Sequence, residues 1–262
     1  MDRKKTALQA GERGSVRSVD RALDILLCFG SERDLGLTEI ARRVDLHKST
    51  AHRMLASLER RGFVERHPLT DRYRLGWLIV ELASQVYQSD NLTSLALAEM
   101  THLRDAIGET ISLYVRSGYE RIRVGAVEGT HPVRRAANIG KRFPLYVGAS
   151  GKVLLAFSDE DILDELHLAQ SVPRDFDIDE LRAQCSQIAA QGYAVSIEER
   201  EAGAAAVAAP ILNRQGICVA ALSVSGPVDR FTAQQVTHYG AACMAAAKQI
   251  SKTLGAYPGS PS

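Results

Sequence analysis

The chain has 262 residues, of which 45% are hydrophobic and 24% charged, and its formal net charge of +1 excludes indiscriminate coating of nucleic acid. The charge is uneven, since residues 1–75 carry 16 basic and 11 acidic side chains and the remainder 16 and 20. A basic N-terminal part on an acidic body predicts that only one part of the protein contacts DNA.

The N-terminal residues 1–17 predict a mobile basic tail and not a secretory signal, because no apolar segment follows their charges. A helix is predicted from Ser18, as its N-cap, to about Gly30. No apolar run is long enough for a membrane span, and scattered cysteines indicate buried thiols in a reducing cytoplasm. The spacing of the histidines indicates no metal site, and no cofactor is expected.

Residues 38–58 predict two short helices joined by a tight turn. Thr38 is placed to cap the first helix, and Asp45 lies in the turn, where a left-handed backbone is often needed. The second helix has an apolar face and an opposite face rich in hydrogen-bond donors. The donor face consists of Lys48, Ser49, Thr50, His52 and Arg53. Such a face suits a major groove, where these residue types bind base edges and phosphates.

A basic hairpin is predicted directly after the two helices. Gly62 ends the second helix as a C-cap, and residues 63–66 and 72–75 predict two short strands. Arg66 and Arg72 on this hairpin are expected to contact phosphates or a minor groove. The helix pair alone also fits an ordinary helical hairpin with a solvated basic face, whereas the added hairpin favours a winged helix-turn-helix.

The rest of the chain predicts a mixed α+β domain with an antiparallel sheet that encloses a small ligand. Residues 77–87 predict an unusually apolar helix, which needs a partner in this domain or in a second subunit. Further helices are predicted over residues 91–108, 149–157, 161–168, 178–191 and 232–254. Strands are predicted over residues 110–116, 121–127, 193–197, 206–212 and 218–225.

The segment Gly148–Lys152, GASGK, resembles two catalytic motifs and fits neither. It lacks the first glycine and the final hydroxyl residue of a phosphate loop, and Lys152 stands where a nucleophile elbow around Ser150 needs glycine. A glycine turn before a helix is the simpler interpretation. Because the domain shows no paired nucleophile and base, no catalytic residue is predicted. A small-molecule enzyme with an accessory winged-helix domain is the alternative to a DNA-binding regulator.

Six successive segments resemble the IclR family of bacterial transcriptional regulators. In order they are SVDRALDILLCFG, LTEIARRVDLHKSTAHRMLASLERRGFVER, DRYRLGWLIVELA, PLYVGASGKVLLAF, GYAVSIEEREAG and VAALSVSGP. The resemblance implies a winged helix-turn-helix, a linker helix and an effector-binding domain related to GAF and PAS modules. It also implies homodimers or tetramers (dimers of dimers) on palindromic double-stranded DNA operators. Members repress or activate operons, often catabolic ones for aromatic or small organic acids.

This resemblance divides the chain into five parts. They are a tail over residues 1–17, a winged helix-turn-helix over 18–75, a linker helix over 76–90, an effector-binding domain over 91–256 and a loose tail over 257–262. The resemblance also implies an effector pocket between the GASGK turn and the sheet. Carried over residue by residue, this pocket comprises Ala149, Ser150, Ser196, Ala206, Ser223 and Ser225.

The residue types at these positions suit a small organic acid. Ser223 and Ser225 lie two apart on a strand, so their hydroxyls face the same side, and Ser150 lies near a helix start that attracts anions. Bonding of these serines to neighbouring backbone remains the alternative. The family often has Asp where Ser196 stands, and the three alanines at 204–206 predict a wider cavity or weaker polar recognition of the ligand. Arg134 or Arg135 is available to pair with a carboxylate, although no pattern places either at the cavity.

Overall fold

The structure is a computed structural model that describes residues 16–255, except 31, 90–91, 135–136, 159–161, 170, 174–175 and the side chains of 85–89. The predicted tails therefore lie outside the described residues, apart from residues 16–17. The chain divides into two compact units, residues 1–89 and 90–262. Within the described ranges, no helix has the length and apolar character that a bilayer requires. Nor do the described residues bring together three side chains of the metal-ligating types.

The N-terminal unit contains helices packed on a two-stranded antiparallel hairpin. Its elements are α1 (Arg17–Leu27), a 3-10 turn (Cys28–Gly30), α2 (Leu37–Arg43), α3 (Lys48–Arg60), β1 (Val64–Arg66), β2 (Tyr73–Leu75) and α4 (Leu78–Ser89). The buried side chains of Ile25, Ile40 and Leu55 come from α1, α2 and α3 and meet in one core. Leu35 and Tyr73 exchange two backbone hydrogen bonds, which attach the segment before α2 to the hairpin. This arrangement is a winged helix-turn-helix.

Two predicted helix caps are wrong. Helix α1 starts at Arg17, so Ser18 lies inside the first turn and Val16 is the N-cap residue. Helix α2 starts at Leu37, and the carboxylate of Glu39 accepts a hydrogen bond from the Gly36 amide at 2.7 Å. The N-cap residue is therefore Gly36, and the glutamate at the third helical position folds back on its amide, as in a capping box.

Two predicted turn residues are confirmed. Asp45, between α2 and α3, has a φ of 49°, the left-handed conformation that an aspartate tolerates. Gly62 has a φ of 80° and follows the last turn of α3, where its amide donates to the Glu59 carbonyl at 2.9 Å. These turns set the angle between the two helices and the direction in which the wing leaves α3.

The C-terminal unit is a six-stranded antiparallel sheet with helices on both faces, which confirms the α+β fold class. Its helices are α5 (Leu92–Ile107), α6 (Ala149–Ala156), α7 (Ile162–Leu168), α8 (Ile178–Gln191) and α9 (Ala233–Thr253). Its strands are β3 (Thr110–Ser117), β4 (Glu120–Val127), β5 (Arg142–Pro144), β6 (Ala194–Ile197), β7 (Ala204–Leu212) and β8 (Cys218–Pro227), in the sheet order β5-β4-β3-β8-β7-β6. Strand β5 was not predicted, since three residues are too few to show an alternating pattern.

The two faces of the sheet pack on different helices. Side chains such as Ile111, Val207 and Leu222 lie on one face with α5 and α9. Side chains of the alternate positions, such as Tyr114 and Ala208, lie on the other face with α6 and α8. Strand β7 is therefore covered on both sides along most of its length. The face towards α6 holds the cavity described below.

Candidate nucleic-acid interface and effector cavity

Helix α3 presents two distinct faces. Ala51, Leu55 and Leu58 are buried in the core of the N-terminal unit. The side chains predicted for DNA contact are all exposed: Lys48, Ser49, Thr50, His52 and Arg53. None of these five side chains takes part in a hydrogen bond or an ion pair with another described residue. The donors on this face are therefore available to a ligand outside the unit.

The wing arginines are already engaged within the unit. Arg66 is exposed and pairs with Asp71 across the wing turn at 3.1 Å. Arg72 donates to the carboxylate of Glu39 at 2.9 Å and to the Asp34 carbonyl at 2.8 Å, so it connects the wing to the start of α2. The Gly36 amide, and after it Arg72, hold the pKa of Glu39 below its usual value. Surface pairs of this kind contribute little to stability.

One cavity of the C-terminal unit is lined by every residue predicted for the effector pocket. These residues come together because Ser196, Ala206 and Ser225 are direct partners across β6, β7 and β8. Ser150 is the second residue of α6, and the start of this helix lines the cavity opposite the three strand residues. The cavity has a volume of about 50 Å³. The structure therefore unites residues that are up to 76 positions apart in the sequence.

The serines of the cavity differ in their hydrogen bonds. Ser223 is buried, and its hydroxyl donates to the backbone carbonyl of Val207 at 3.1 Å. For this residue the alternative of a serine bonded to neighbouring backbone is thus observed. The hydroxyls of Ser150, Ser196 and Ser225 make no hydrogen bond with any other described residue. Three hydroxyls of the cavity therefore remain available for a polar ligand.

Two buried arginines of the cavity were missed by the sequence analysis. Arg121 and Arg123 lie on β4 with only 2% and 5% of their surface exposed, and both line the cavity. Side chains alternate along β4, so Ile122 lies on the face opposite to these two arginines. A prediction that places the apolar Ile122 on the cavity side would therefore put the arginines on the wrong face. The detectable signal was the pairing of this strand with β3, in which Tyr114 stands opposite Arg123.

Arg121 lies against the start of α6. A Cβ atom added at Gly148 would lie 2.9 Å from its Nη2, and one added at Gly151 would lie 2.5 Å from its Nη1. The glycines of the GASGK segment therefore make room for this guanidinium. Its Nη1 donates to the Pro144 carbonyl, whereas its Nε has no hydrogen-bond partner among the described residues. Burial lowers the pKa of Arg121 to about 10, Tyr114 opposes this shift, and Arg200 and Arg123 add to it.

Tyr114 and the loop residue Arg200 also line the cavity. Arg123 donates to the Tyr114 hydroxyl through Nε at 3.0 Å and Nη2 at 2.6 Å. Arg200, from the loop between β6 and β7, lies over the Phe143 ring at 4.2 Å from its centroid. From the same loop, Glu199 accepts a hydrogen bond from the Gly148 amide at 3.1 Å and pairs with Lys152 at 2.6 Å. One protein carboxylate thus already lies at the start of α6.

The charge of the cavity does not come from the two arginines that the sequence analysis considered. Arg134 pairs with Glu128 at 3.0 Å and does not line this cavity, and Arg135 lies outside the described residues. The charges come instead from Arg121 and Arg123. The alanines at 204–206 line the cavity together with these two arginines.

Comparisons with known proteins agree with both units. Residues 18–68 match the model of the IclR helix-turn-helix domain, and residues 84–252 match that of the bacterial transcriptional regulator IclR C-terminal domain. The chain is 33% identical over 246 residues to the HTH-type transcriptional regulator KdgR of Escherichia coli (strain K12), covering 92% of this chain and 94% of KdgR. It is 31% identical over 261 residues to the transcriptional repressor IclR of the same strain, covering 97% and 95%.

A solved structure shows the same architecture. It is the crystal structure of an IclR homolog complexed with 4-hydroxybenzoate from Microbacterium hydrocarbonoxydans. The two chains superimpose with a TM-score of 0.80 and 26% identity, and the alignment covers 91% of this chain and 99% of the homolog.

Proposed function

The chain belongs to the IclR family of bacterial transcriptional regulators, and we propose that it controls a catabolic operon by binding a palindromic operator and a small organic acid. It is a transcriptional regulator with a helix-turn-helix and a C-terminal ligand-binding domain. The exposed and unengaged donor face of α3 is the observation that carries the proposed DNA contact. The cavity under α6 is the proposed effector site, and repression is the proposed direction of control.

The proposed DNA contact divides the donor face between two tasks. Lys48, Ser49 and Thr50 lie in the first turn of α3 and are suited to phosphates, which position the helix in the groove. Arg53, with His52, lies one turn further along and is suited to base edges. Arg66 and Arg72 of the wing exchange their present carboxylate partners for neighbouring phosphates.

Replacement of Arg53 by alanine is expected to weaken operator binding by about 1–3 kcal/mol, because a bidentate contact to a guanine edge is lost. The measurement is a DNA titration followed by fluorescence anisotropy at fixed salt. Arg116→Ala is the matched control, since Arg116 is an exposed arginine on β3 of the C-terminal unit. Equal affinities of the Arg53 variant and the wild type would remove Arg53 from the interface.

Operator binding is proposed to need at least two chains. A single winged module reads one half-site, and a palindrome requires two modules related by symmetry. The N-terminal unit also exposes large apolar side chains on α1, on α4 and directly before α4. They include Leu27 (75% exposed), Trp77 (72%) and Val80 (54%). Apolar surface of this extent is typical of a protein interface, and a homodimer, or a tetramer made of two dimers, would cover it.

The proposed effector contacts are the hydroxyls and the amides around the cavity. Ser225→Ala is expected to weaken binding of the best acid from a thermal-shift screen by about 1.5–3 kcal/mol, because a hydrogen bond to a charged group is lost. Ser223→Ala should have the smaller effect, since the Ser223 proton is used by Val207. Ser186→Ala on the exposed side of α8 is the control in the calorimetric titration. Undiminished affinity of a folded Ser223→Ala/Ser225→Ala variant would place the site elsewhere.

The enzyme alternative has no specific observation in its favour. Ser150 is the hydroxyl nearest to a catalytic motif, but no base is hydrogen-bonded to it among the described residues. The relatives that cover nearly the whole chain are transcriptional regulators. No catalytic role is therefore proposed for either unit.

A further inference from the structure

We propose that the effector is a compact aliphatic dianion, a dicarboxylate or a group of equivalent charge such as phosphate, bound between Arg121 and Arg123. This inference rests on the proposed effector role of the cavity, because it names the class of ligand for the same site. It differs from an aromatic monocarboxylate such as the 4-hydroxybenzoate of the homologous structure.

The charge of the cavity wall is the first argument. Among the described residues that line the cavity, Arg121, Arg123 and Arg200 carry guanidinium groups and Glu201 carries the one carboxylate. Arg121 and Arg123 are buried, whereas Arg200 and Glu201 are exposed and opposite in charge, so the buried part of the wall carries two positive charges. The nearby Lys152 and Glu199 pair with each other and do not change this charge. Since a buried net charge is costly, a ligand with two negative charges fits this wall best.

The position of Arg121 is the second argument. Its guanidinium is almost fully buried, and its Nε lacks a hydrogen-bond partner among the described residues. It also lies at the start of α6, where the helix dipole favours an anion and disfavours a cation. An anion bound there would accept a hydrogen bond from Nε and be attracted by the first amides of α6. It would thus relieve two unfavourable features at once.

Glu199 shows that this helix start accepts a carboxylate. One of its oxygens accepts a hydrogen bond from the Gly148 amide at 3.1 Å, and the other accepts one from the Lys152 ammonium group at 2.6 Å. The Ser150 hydroxyl, two residues further along α6, remains available on the cavity side. The next anion position along the helix start is therefore supplied by Ser150 and Arg121.

The size of the cavity is the third argument. Its volume of about 50 Å³ is small beside the ~150 Å³ of an apolar cavity that holds benzene. An aromatic ring would have to displace an arginine or Tyr114 from the wall. A short aliphatic ligand with charged groups at both ends needs no such displacement.

The test is calorimetric titration of the full-length chain at constant ionic strength with malonate, succinate, inorganic phosphate, propionate and 4-hydroxybenzoate. We expect a dicarboxylate or phosphate to bind at least about tenfold more tightly than propionate and 4-hydroxybenzoate, as for charge-assisted contacts. Comparing the affinities of the dicarboxylates and phosphate shows whether the site prefers two carboxylate groups or one phosphate group. Arg121→Gln should weaken dianion binding at least about tenfold. Arg123→Gln provides the same test if Arg121→Gln does not fold, and Arg116→Gln is the charge-matched control.

Two results would overturn the proposal, and they differ in their consequence for the proposed effector role of the cavity. If propionate or 4-hydroxybenzoate binds more tightly than the dianions and Ser225→Ala weakens it, the cavity remains the effector site and only the dianion is wrong. If none of the five probes binds to a chain that still binds DNA, the dianion is wrong, and titration of the best acid from the thermal-shift screen against Ser223→Ala/Ser225→Ala then decides the effector role of the cavity.

Discussion

Replacement of Glu109 by alanine is expected to lower the free energy of unfolding of the C-terminal unit by about 3–5 kcal/mol, as when one partner of a buried ion pair is removed. Glu109 directly precedes β3 and is completely buried. Its carboxylate accepts hydrogen bonds from Nε and Nη2 of Arg230, the latter at 2.8 Å. This pair joins the start of β3 to the turn after β8. Without the carboxylate, the partly buried guanidinium of Arg230 has lost its charged partner.

The surroundings of Glu109 leave little room for compensation. A Cβ atom added at Gly226 would lie 2.3 Å from Oε2 of Glu109, so the glycine is required for the close approach of β8. The bond to Glu109 is also the main reason why the pKa of Arg230 is raised above its usual value. The pair is therefore held in one geometry by the strands on either side, and a cavity would remain after truncation.

The measurement is chemical denaturation of the full-length variants. Glu120→Ala is the matched control, because Glu120 pairs with Arg142 at 3.1 Å while both side chains are about half exposed. Loss of this surface pair should change stability by ~0–1 kcal/mol. If Glu109→Ala and Glu120→Ala have equal effects, the buried pair does not stabilise the unit.

Replacement of Arg121 by methionine is expected to stabilise the free protein by about 2 kcal/mol and to abolish acid binding. Burial lowers the pKa of Arg121 in the folded chain from 12.5 to about 10. At neutral pH the charged side chain therefore opposes folding by an amount on the order of 3 kcal/mol. Loss of the hydrogen bond to Pro144 offsets about 1 kcal/mol of the gain.

The sign of the pH dependence follows from this lowered pKa. The cost of burying the charge is fully present below pH 10 and is relieved as the pH rises through the folded pKa of about 10. The stability difference between Arg121→Met and the wild type should therefore narrow above pH 10 in thermal denaturation. Arg116→Met, at an exposed position, should stay within about 0.5 kcal/mol of the wild type at each pH. A less stable Arg121→Met variant at neutral pH would show that Arg121 serves the fold and not the ligand.

A residue that lowers stability where it stands is a strong indication of a binding function. Arg121 is expected to meet this description, because its charge is buried beside Arg123 and at the end of a helix that disfavours a cation. Glu109 is the opposite case, since its buried charge is matched by Arg230. The two variants thus separate a structural ion pair from a charge that is kept for a ligand.

Elements with strong local signals were predicted from the sequence. Helix α8 has the bounds expected from its pattern, because Asp177 caps its start and Gly192, with a φ of 85°, ends it. The exposed donor face of α3 was also predictable, since the spacing of Ala51, Leu55 and Leu58 determines which side is buried. In both cases the information lies within one turn or one helix.

The arginine wall was not predictable from local patterns. Whether Arg121 or Ile122 points inward depends on which face of β4 meets α6, and this is decided by pairing with distant β3 and β5. The row of Ser196, Ala206 and Ser225 was predicted from the family resemblance, whereas the arginines opposite it were not part of that resemblance. The N-cap of α2 was predicted wrongly because both Thr38 and Glu39 are residues typical of a helix start. The bond from the Gly36 amide to Glu39 shows that the helix begins earlier in the chain than a Thr38 cap would require.

The most direct test is the affinity of the full-length chain for DNA that it has selected from a random pool, measured with and without saturating malonate or succinate. We expect palindromic sequences bound by at least two chains, with an affinity that falls steeply as salt rises. The acid should change the affinity by about 5–150-fold for the wild type, the usual range of coupling between two sites, and leave Arg121→Met unchanged. Failure to enrich any sequence, or an acid that binds without altering DNA affinity, would contradict a DNA-binding regulator controlled through this cavity.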